Sequence, residues 1–198
     1  MKTISSFDKL INALKVLPSI GQKSAQRMAF YLLQHNQLGA QKLADAISEA
    51  LKKVIHCKSC NTFSENPLCE ICLDNTRQQD LLMVVEMPTN LTDIEQAGCY
   101  HGKYFVLMGR LSPLEGIGLH DIALAKLMEQ ILSQHFKEII IATSFTAEGE
   151  ATAHIITELL KPHHLTMSRI ARGIPVGGEL EYIDQGTLAQ SIHERHIL

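Results

Sequence analysis

The sequence lacks most of the features that would take it out of the ordinary globular class. It has no tryptophan and aromatics make up only 5% of it, so the 45% apolar fraction is mostly aliphatic. No run approaches the roughly 18 to 20 apolar residues of a membrane span, and no membrane partner is expected. The opening Met1-Lys2-Thr3-Ile4-Ser5-Ser6 has no apolar stretch of the kind a secretory signal needs. The expected location is therefore cytoplasmic, where thiols stay reduced unless a metal holds them. No G-x-x-x-x-G-K-[ST] loop occurs, which argues against independent nucleotide hydrolysis. Internal repeats are absent, and six prolines and 12 glycines fall in short clusters rather than low-complexity runs. A folded chain follows, and 198 residues suffice for one ordinary domain plus a small one.

What is present is unevenly spread. Residues 1–56 carry eight Lys/Arg against three acids, a net of +5, whereas the rest carries ten against eighteen, a net of −8. A basic head on an acidic body suits a head that meets a polyanion; the plainer reading is a solvated helical surface. The head reads as three helices. Leu10, Ile11, Leu14 and Leu17 share one face of the first, which Pro18 closes. Ala25, Met28, Ala29, Leu32 and Leu33 form the stripe of a second, and Leu43, Ala46, Ile47, Ala50, Leu51 and Val54 that of a third. Both stripes are expected to be buried.

From residue 81 the character changes. Residues 81–85, 104–107, 139–142 and 166–171 are short, largely apolar runs that suit strands, the first three apolar enough to be covered on both faces. Helical patterns at 89–98, 120–134 and 150–161 separate them, which argues for a parallel sheet with right-handed crossovers. The fold class is thus α+β in several parts: a helical head over 1–56, a cysteine segment over 57–72, a parallel α/β domain over 80–172 and a tail over 173–198. Gln190 to His196 reads as a short amphipathic terminus, and the glycines around Pro175 as a tight link to it.

Three constellations carry chemistry. Cys57-x-x-Cys60, eight residues, then Cys69-x-x-Cys72 gives two knuckles that together close a tetrahedral set with no open position, the pattern of one structural Zn2+. Redox dithiols or disulfides are the alternatives, and a reducing compartment disfavours them. His56 is surplus to that set and is expected at the surface; Cys99 is expected to be a buried or half-buried thiol.

The second constellation is Leu17-Pro18-Ser19-Ile20-Gly21-Gln22-Lys23-Ser24-Ala25, a four-residue turn between two helices. Gly21 permits a positive φ in the turn. The amides of Gly21, Gln22 and Lys23 are expected to be unpaired at the helix start, where a phosphate can accept them, with Lys23 and Arg27 on the polar face adding charge. Such contacts go to the DNA backbone and carry little sequence specificity.

In the third, Glu86 follows the first strand of the sheet and Glu148-x-Glu150 follows the third. Parallel strands would bring these carboxylates to one edge, where they could hold a partner or Mg2+, or could simply be acids favoured at a helix start. Tyr100, Tyr104 and Tyr182 are candidate nucleophiles for a Mg2+-dependent nuclease or primase-like alternative.

The turn is similar to a helix-hairpin-helix motif, with Ser19 in place of its first glycine. Followed by the four cysteines and the α/β domain, it resembles the RecR family of bacterial recombination mediators. Further matching stretches are Lys23–Phe30, Tyr104–Leu114, Glu148–Thr152 and Arg172–Glu181, so the likeness spans nearly the whole chain. The family's Asn-Pro before the acidic motif is Ser144-Phe145 here. The resemblance implies a helix-hairpin-helix region, a zinc finger, a Toprim domain and a Walker-B-like tail at Ile183-Asp184. It also implies a non-catalytic, nucleoid-associated protein whose homodimers or homotetramers form a ring on DNA. Such a protein works with RecO and RecF in DNA repair, loading recombinase at gaps.

Overall fold

The computed structural model describes residues 5–195, so Met1 to Ile4 and His196 of the expected terminal segment lie outside the described residues. The chain divides into two compact units, Met1–Val54 and Ile55–Leu198.

In the first unit, α1 (Ser6–Leu14) starts where the Ser5 side chain accepts the Asp8 amide at 3.1 Å. α1 stops short of Pro18, because residues 15–18 already turn. α2 (Gln22–Gln34) and α3 (Gln37–Lys53) follow, and α3 is capped by Asn36, whose Oδ1 accepts the Gly39 amide at 2.9 Å. Ile11, Ala25 and Ala29 form a small core with Leu10, Leu14 and Ile20 against it. The expected burial of the longer stripes does not hold. Met28 and Leu33 on α2 are exposed, as are Leu43, Ile47 and Leu51 on α3, the last at 82%. A helical unit of this size encloses little interior, and its two alanines admit only one close packing face.

The second unit opens with β1 (Ile55–His56) paired antiparallel to β2 (Phe63–Ser64), and a short α4 (Glu70–Leu73). Four parallel strands follow: β3 (Leu81–Val85), β4 (Lys103–Val106), β5 (Glu138–Ala142) and β6 (Thr166–Arg169), ordered β4-β3-β5-β6. Helices α5 (Pro88–Ala97), α6 (Leu124–Ser133) and α7 (Ala147–Leu160) connect them. Sequence alternation on β3 sends Leu82 and Val84 into one core, with Leu127 and Ile131 of α6 and Ile156 of α7. Met83 and Val85 enter the other, with Leu91 of α5, Tyr104 and also Cys57 and Cys60. Both faces of the central strands are covered, as the apolar runs required.

Two helix starts differ from the periodicity. α6 begins at Leu124, after a turn through 120–123, and α7 begins at Ala147, three residues earlier than the apolar pattern. The second shift puts Glu148 and Glu150 inside the first helical turn. The tail carries a 3-10 turn at Leu180–Tyr182 and α8 (Gln185–His193).

Candidate metal centre and nucleic-acid interface

The cysteine segment is too short for a core of its own, and it borrows one from the sheet. β4 is an edge strand, and the Val106 amide donates to the Cys60 carbonyl at 2.8 Å. The Asn61 side-chain amide donates to the Val106 carbonyl at 2.8 Å. Lys103, buried on β4, donates to the carbonyls of Cys72 and Asp74 at 3.3 and 3.4 Å. The knuckle thus covers backbone that would otherwise be an open sheet edge.

Within it, each C-x-x-C turn closes on itself. The Asn61 amide donates to the Cys57 carbonyl at 2.9 Å, and the Leu73 amide to the Cys69 carbonyl at 3.0 Å. Asn61 takes a left-handed φ of 62°. The four thiol sulfurs lie within 4.8 Å of one another. Cys60 and Cys69 Sγ are 3.5 Å apart, close to the edge of about 3.8 Å of a tetrahedron built on Zn–S bonds of about 2.3 Å. The Cys69 amide donates to Cys57 Sγ at 3.3 Å, which ties the two knuckles together. Hydrogen bonding with Cys60 holds the Cys69 thiol far below the usual range, while the same bond and burial push Cys60 up. Four sulfurs this close ionise together only around a cation. The donor set fits Zn2+, and Cys57, Cys60, Cys69 and Cys72 form a structural zinc site.

His56 is exposed and outside that set, its Nδ1 within 3.0 Å of the Asn61 carbonyl. Cys99 corrects its expectation: it is exposed, beside the left-handed Gly98 that ends α5. It lies in the connection from α5 to β4, and connecting segments run largely over the surface.

At the α1–α2 corner the positive φ that Gly21 permits falls on a neighbouring residue instead. Gly21 has an ordinary φ of −86°, and Ser19 takes the left-handed one, 64°. The glycine missing from the hairpin pattern is the one the turn requires, so Ser19 carries strain of about 1 kcal/mol. Gly21 is the N-cap of α2 with no side chain capping the helix, which leaves the first-turn amides facing outward. Gln22, Lys23 and Arg27 are all exposed around that turn.

The three carboxylates are not brought together. Among the described residues, the four cysteines are the only group of three or more possible ligands close enough to share an ion. Glu86, 6% exposed, accepts the Ser144 amide at 3.0 Å and its hydroxyl at 2.9 Å, with Arg110 at 3.9 Å. Glu150 pairs with Arg169 at 3.0 Å and with Arg172. Both guanidiniums lie over the Phe145 ring, 4.8 and 4.4 Å from its centre. Glu148 sits partly exposed in the first turn, where its own backbone amide and the Thr146 side chain lower its carboxyl below the usual range.

Ser144, Phe145, Arg169 and Arg172 therefore shape this edge. Motif and periodicity assign none of them a contact. The signal available was topological, since β6 lies beside β5 and its Arg-x-x-Arg emerges at the same end. Gly149 completes the turn: a Cβ there would stand 2.1 Å from the Ser144 carbonyl oxygen. Of the candidate nucleophiles, Tyr104 is buried and donates to Glu95 at 2.7 Å. Tyr100, buried too, donates to the Lys103 carbonyl at 2.8 Å, and burial raises both phenols. Tyr182 is exposed on the tail. Asp184 caps α8, accepting the Thr187 amide at 2.9 Å.

A helical head with a hairpin corner, a four-cysteine zinc site packed on a sheet, and a parallel β4-β3-β5-β6 domain define a zinc-bearing Toprim protein. Family models match accordingly. The RecR helix-hairpin-helix model covers residues 7–51 and the RecR four-cysteine zinc finger model 54–74. The Toprim domain model covers 80–171 and the RecR C-terminal model 173–196. The chain is 57% identical over 195 residues to "Recombination protein RecR" of Chromobacterium violaceum, covering 98% of each. It is 51% identical over 197 residues to the protein of that name from Neisseria meningitidis serogroup B, covering 100% of this chain and 96% of the relative. The chain belongs to the RecR family.

Proposed function

We propose that the chain is a non-enzymatic, DNA-binding recombination mediator. In this reading it forms a ring-like oligomer on DNA and acts in the cytoplasm, at the nucleoid, with RecO and RecF to load recombinase at single-strand gaps. The observation that carries it is the α1–α2 corner, with outward amides at Gly21, Gln22 and Lys23 and the exposed cations Lys23 and Arg27. That arrangement suits phosphate oxygens of any sequence. The name borne by the relatives supports the recombination setting.

Self-association is supported by apolar side chains left uncovered on α2 and α3, and by Val176 and Leu180 on the tail. In this scheme residues 1–56 hold DNA, 57–72 form the zinc site, 80–172 offer a partner surface that includes Glu86, Glu148 and Glu150, and 173–198 help the oligomer close. The partnered state of Glu86 and Glu150 and the inward phenols of Tyr100 and Tyr104 favour this role over phosphoryl transfer.

The test is the pair Lys23→Glu and Arg27→Glu together. Affinity for gapped DNA should fall at least a hundredfold at low salt, with the slope of log K against log salt reduced by about 2. Unchanged affinity and slope would remove the corner from the interface. Incubating the purified protein with supercoiled and gapped DNA and Mg2+ tests the rest. Cleavage or synthesis by the wild type that disappears in Glu86→Gln would overturn the non-enzymatic reading.

A further inference from the structure

A cavity of about 410 Å³ lies between the zinc knuckle and α6, walled among others by His56, Lys58, Asn61, Lys126, Gln130 and Ser133. Its volume is in the range of small-molecule sites. Gln130 is only 8% exposed, yet neither its Oε1 nor its Nε2 has a hydrogen-bond partner. A buried amide with both ends unmet costs about 1–3 kcal/mol per group, so such a side chain marks a place where something else completes it. Gln130 is among the residues that line the cavity, and the terminal torsion of glutamine is broad, so the amide is not held to one orientation.

The other walls narrow the chemistry. Asn61 is fixed by its bond to the Val106 carbonyl, and its Oδ1 lies 3.4 Å from Lys126 Nζ. The exposed His56 ring is oriented by its contact with the Asn61 carbonyl and leans on Phe63, 5.3 Å between centres. Lys58 and Lys126 form no ion pair among the described residues, and Glu129 is the only acid in the lining. A side-by-side donor and acceptor matches the edge of an unpaired base, an exposed aromatic ring offers a stacking face, and two ammonium groups with no carboxylate partner among the described residues suit a phosphate.

We propose that this cavity binds a nucleoside monophosphate unit: Gln130 reads the base edge, His56 stacks on the base, and Lys58 and Lys126 hold the phosphate. The unit is either a free nucleotide or one residue of a single strand, and the two share this chemistry. Every residue of the site belongs to the second unit, and none belongs to the α1–α2 corner.

The full-length, zinc-loaded protein carrying Lys23→Glu and Arg27→Glu isolates the cavity from the corner. Titrating it with dAMP, dTMP and inorganic phosphate, followed by amide NMR shifts, should give saturable nucleotide binding with shifts at residues 56–61 and 126–134. Gln130→Leu and Lys126→Gln should each weaken that binding about tenfold, with zinc content unchanged and melting temperature no lower than in the parent. A pentathymidylate giving the same shifts and the same loss identifies a strand as a source; shifts from dAMP or dTMP alone identify the free nucleotide. No saturable shift with any nucleotide overturns the proposal. So does phosphate binding as tightly as dTMP, or affinity unchanged in both variants.

Discussion

The knuckle and the carboxyl edge of the sheet are two sets of candidate metal ligands with opposite outcomes. Four cysteines converge until their sulfurs lie within 4.8 Å, whereas Glu86, Glu148 and Glu150 each find a different partner. The cysteines arrive in pairs on tight turns, so local sequence already sets half the geometry. The glutamates come from different elements, and what stands between them decides whether they meet. Here Ser144 takes Glu86, and two arginines take Glu150. A guanidinium pair neutralises a carboxylate much as a cation would, and it does so within the chain.

Breaking the converged set should have the largest effect. Cys60→Ser, or chelation of the wild type, should reduce bound zinc from one per chain to none by metal analysis. Stability should fall by about 3 kcal/mol or more, on the order expected when a structural metal is lost, because the knuckle also covers one face of the sheet. Protons compete with zinc for the thiolates, so retention should fall as pH is lowered. Retained zinc in Cys60→Ser would break the assignment.

Gly149→Ala comes next. Its Cβ would meet the Ser144 carbonyl oxygen at 2.1 Å, and backbone there must move. A loss of about 2 to 3 kcal/mol in denaturant melts is expected, with the Ser144–Glu86 contact disrupted. A neutral result would mean the α7 start is looser than its contacts imply.

Arg172→Ala sharpens the comparison more gently. Glu150 keeps Arg169, and the pair is partly exposed, so stability should change by about 1 kcal/mol or less. If the arginines are what hold Glu150, Mg2+ affinity measured by calorimetry should stay unmeasurable in the wild type. Tight Mg2+ binding by the wild type would place the carboxylates on the same footing as the cysteines. The smallest effect is a gain: Ser19→Gly should stabilise by about 0.5 to 1 kcal/mol, because φ is 64° at that position. No gain would show that the hydroxyl offsets the strain.

Legibility in the sequence follows the range of the interactions. The strands, the covered two-faced sheet and the zinc set can be read because each rests on local periodicity or close spacing. The burial of α2 and α3 is over-read, since apolar spacing reports a face that wants cover and not whether cover exists. The positive φ that Gly21 permits is taken by Ser19, because residue type alone cannot say which position of a turn reverses the chain. Hydropathy places Cys99 inside, although it follows a helix cap at the surface.

By itself the sequence determined the order of parts, the metal chemistry and the parallel sheet, since covalent spacing and two- or 3.6-residue periods act over a few neighbours. Only the tertiary structure decided what each isolated group meets. The knuckle seals the β4 edge, Glu86 is tied to Ser144, two arginines flank Phe145 and share Glu150, and Gln130 is left unmet beside a cavity. Those pairings join residues up to 58 positions apart, and no local period encodes a contact at that separation.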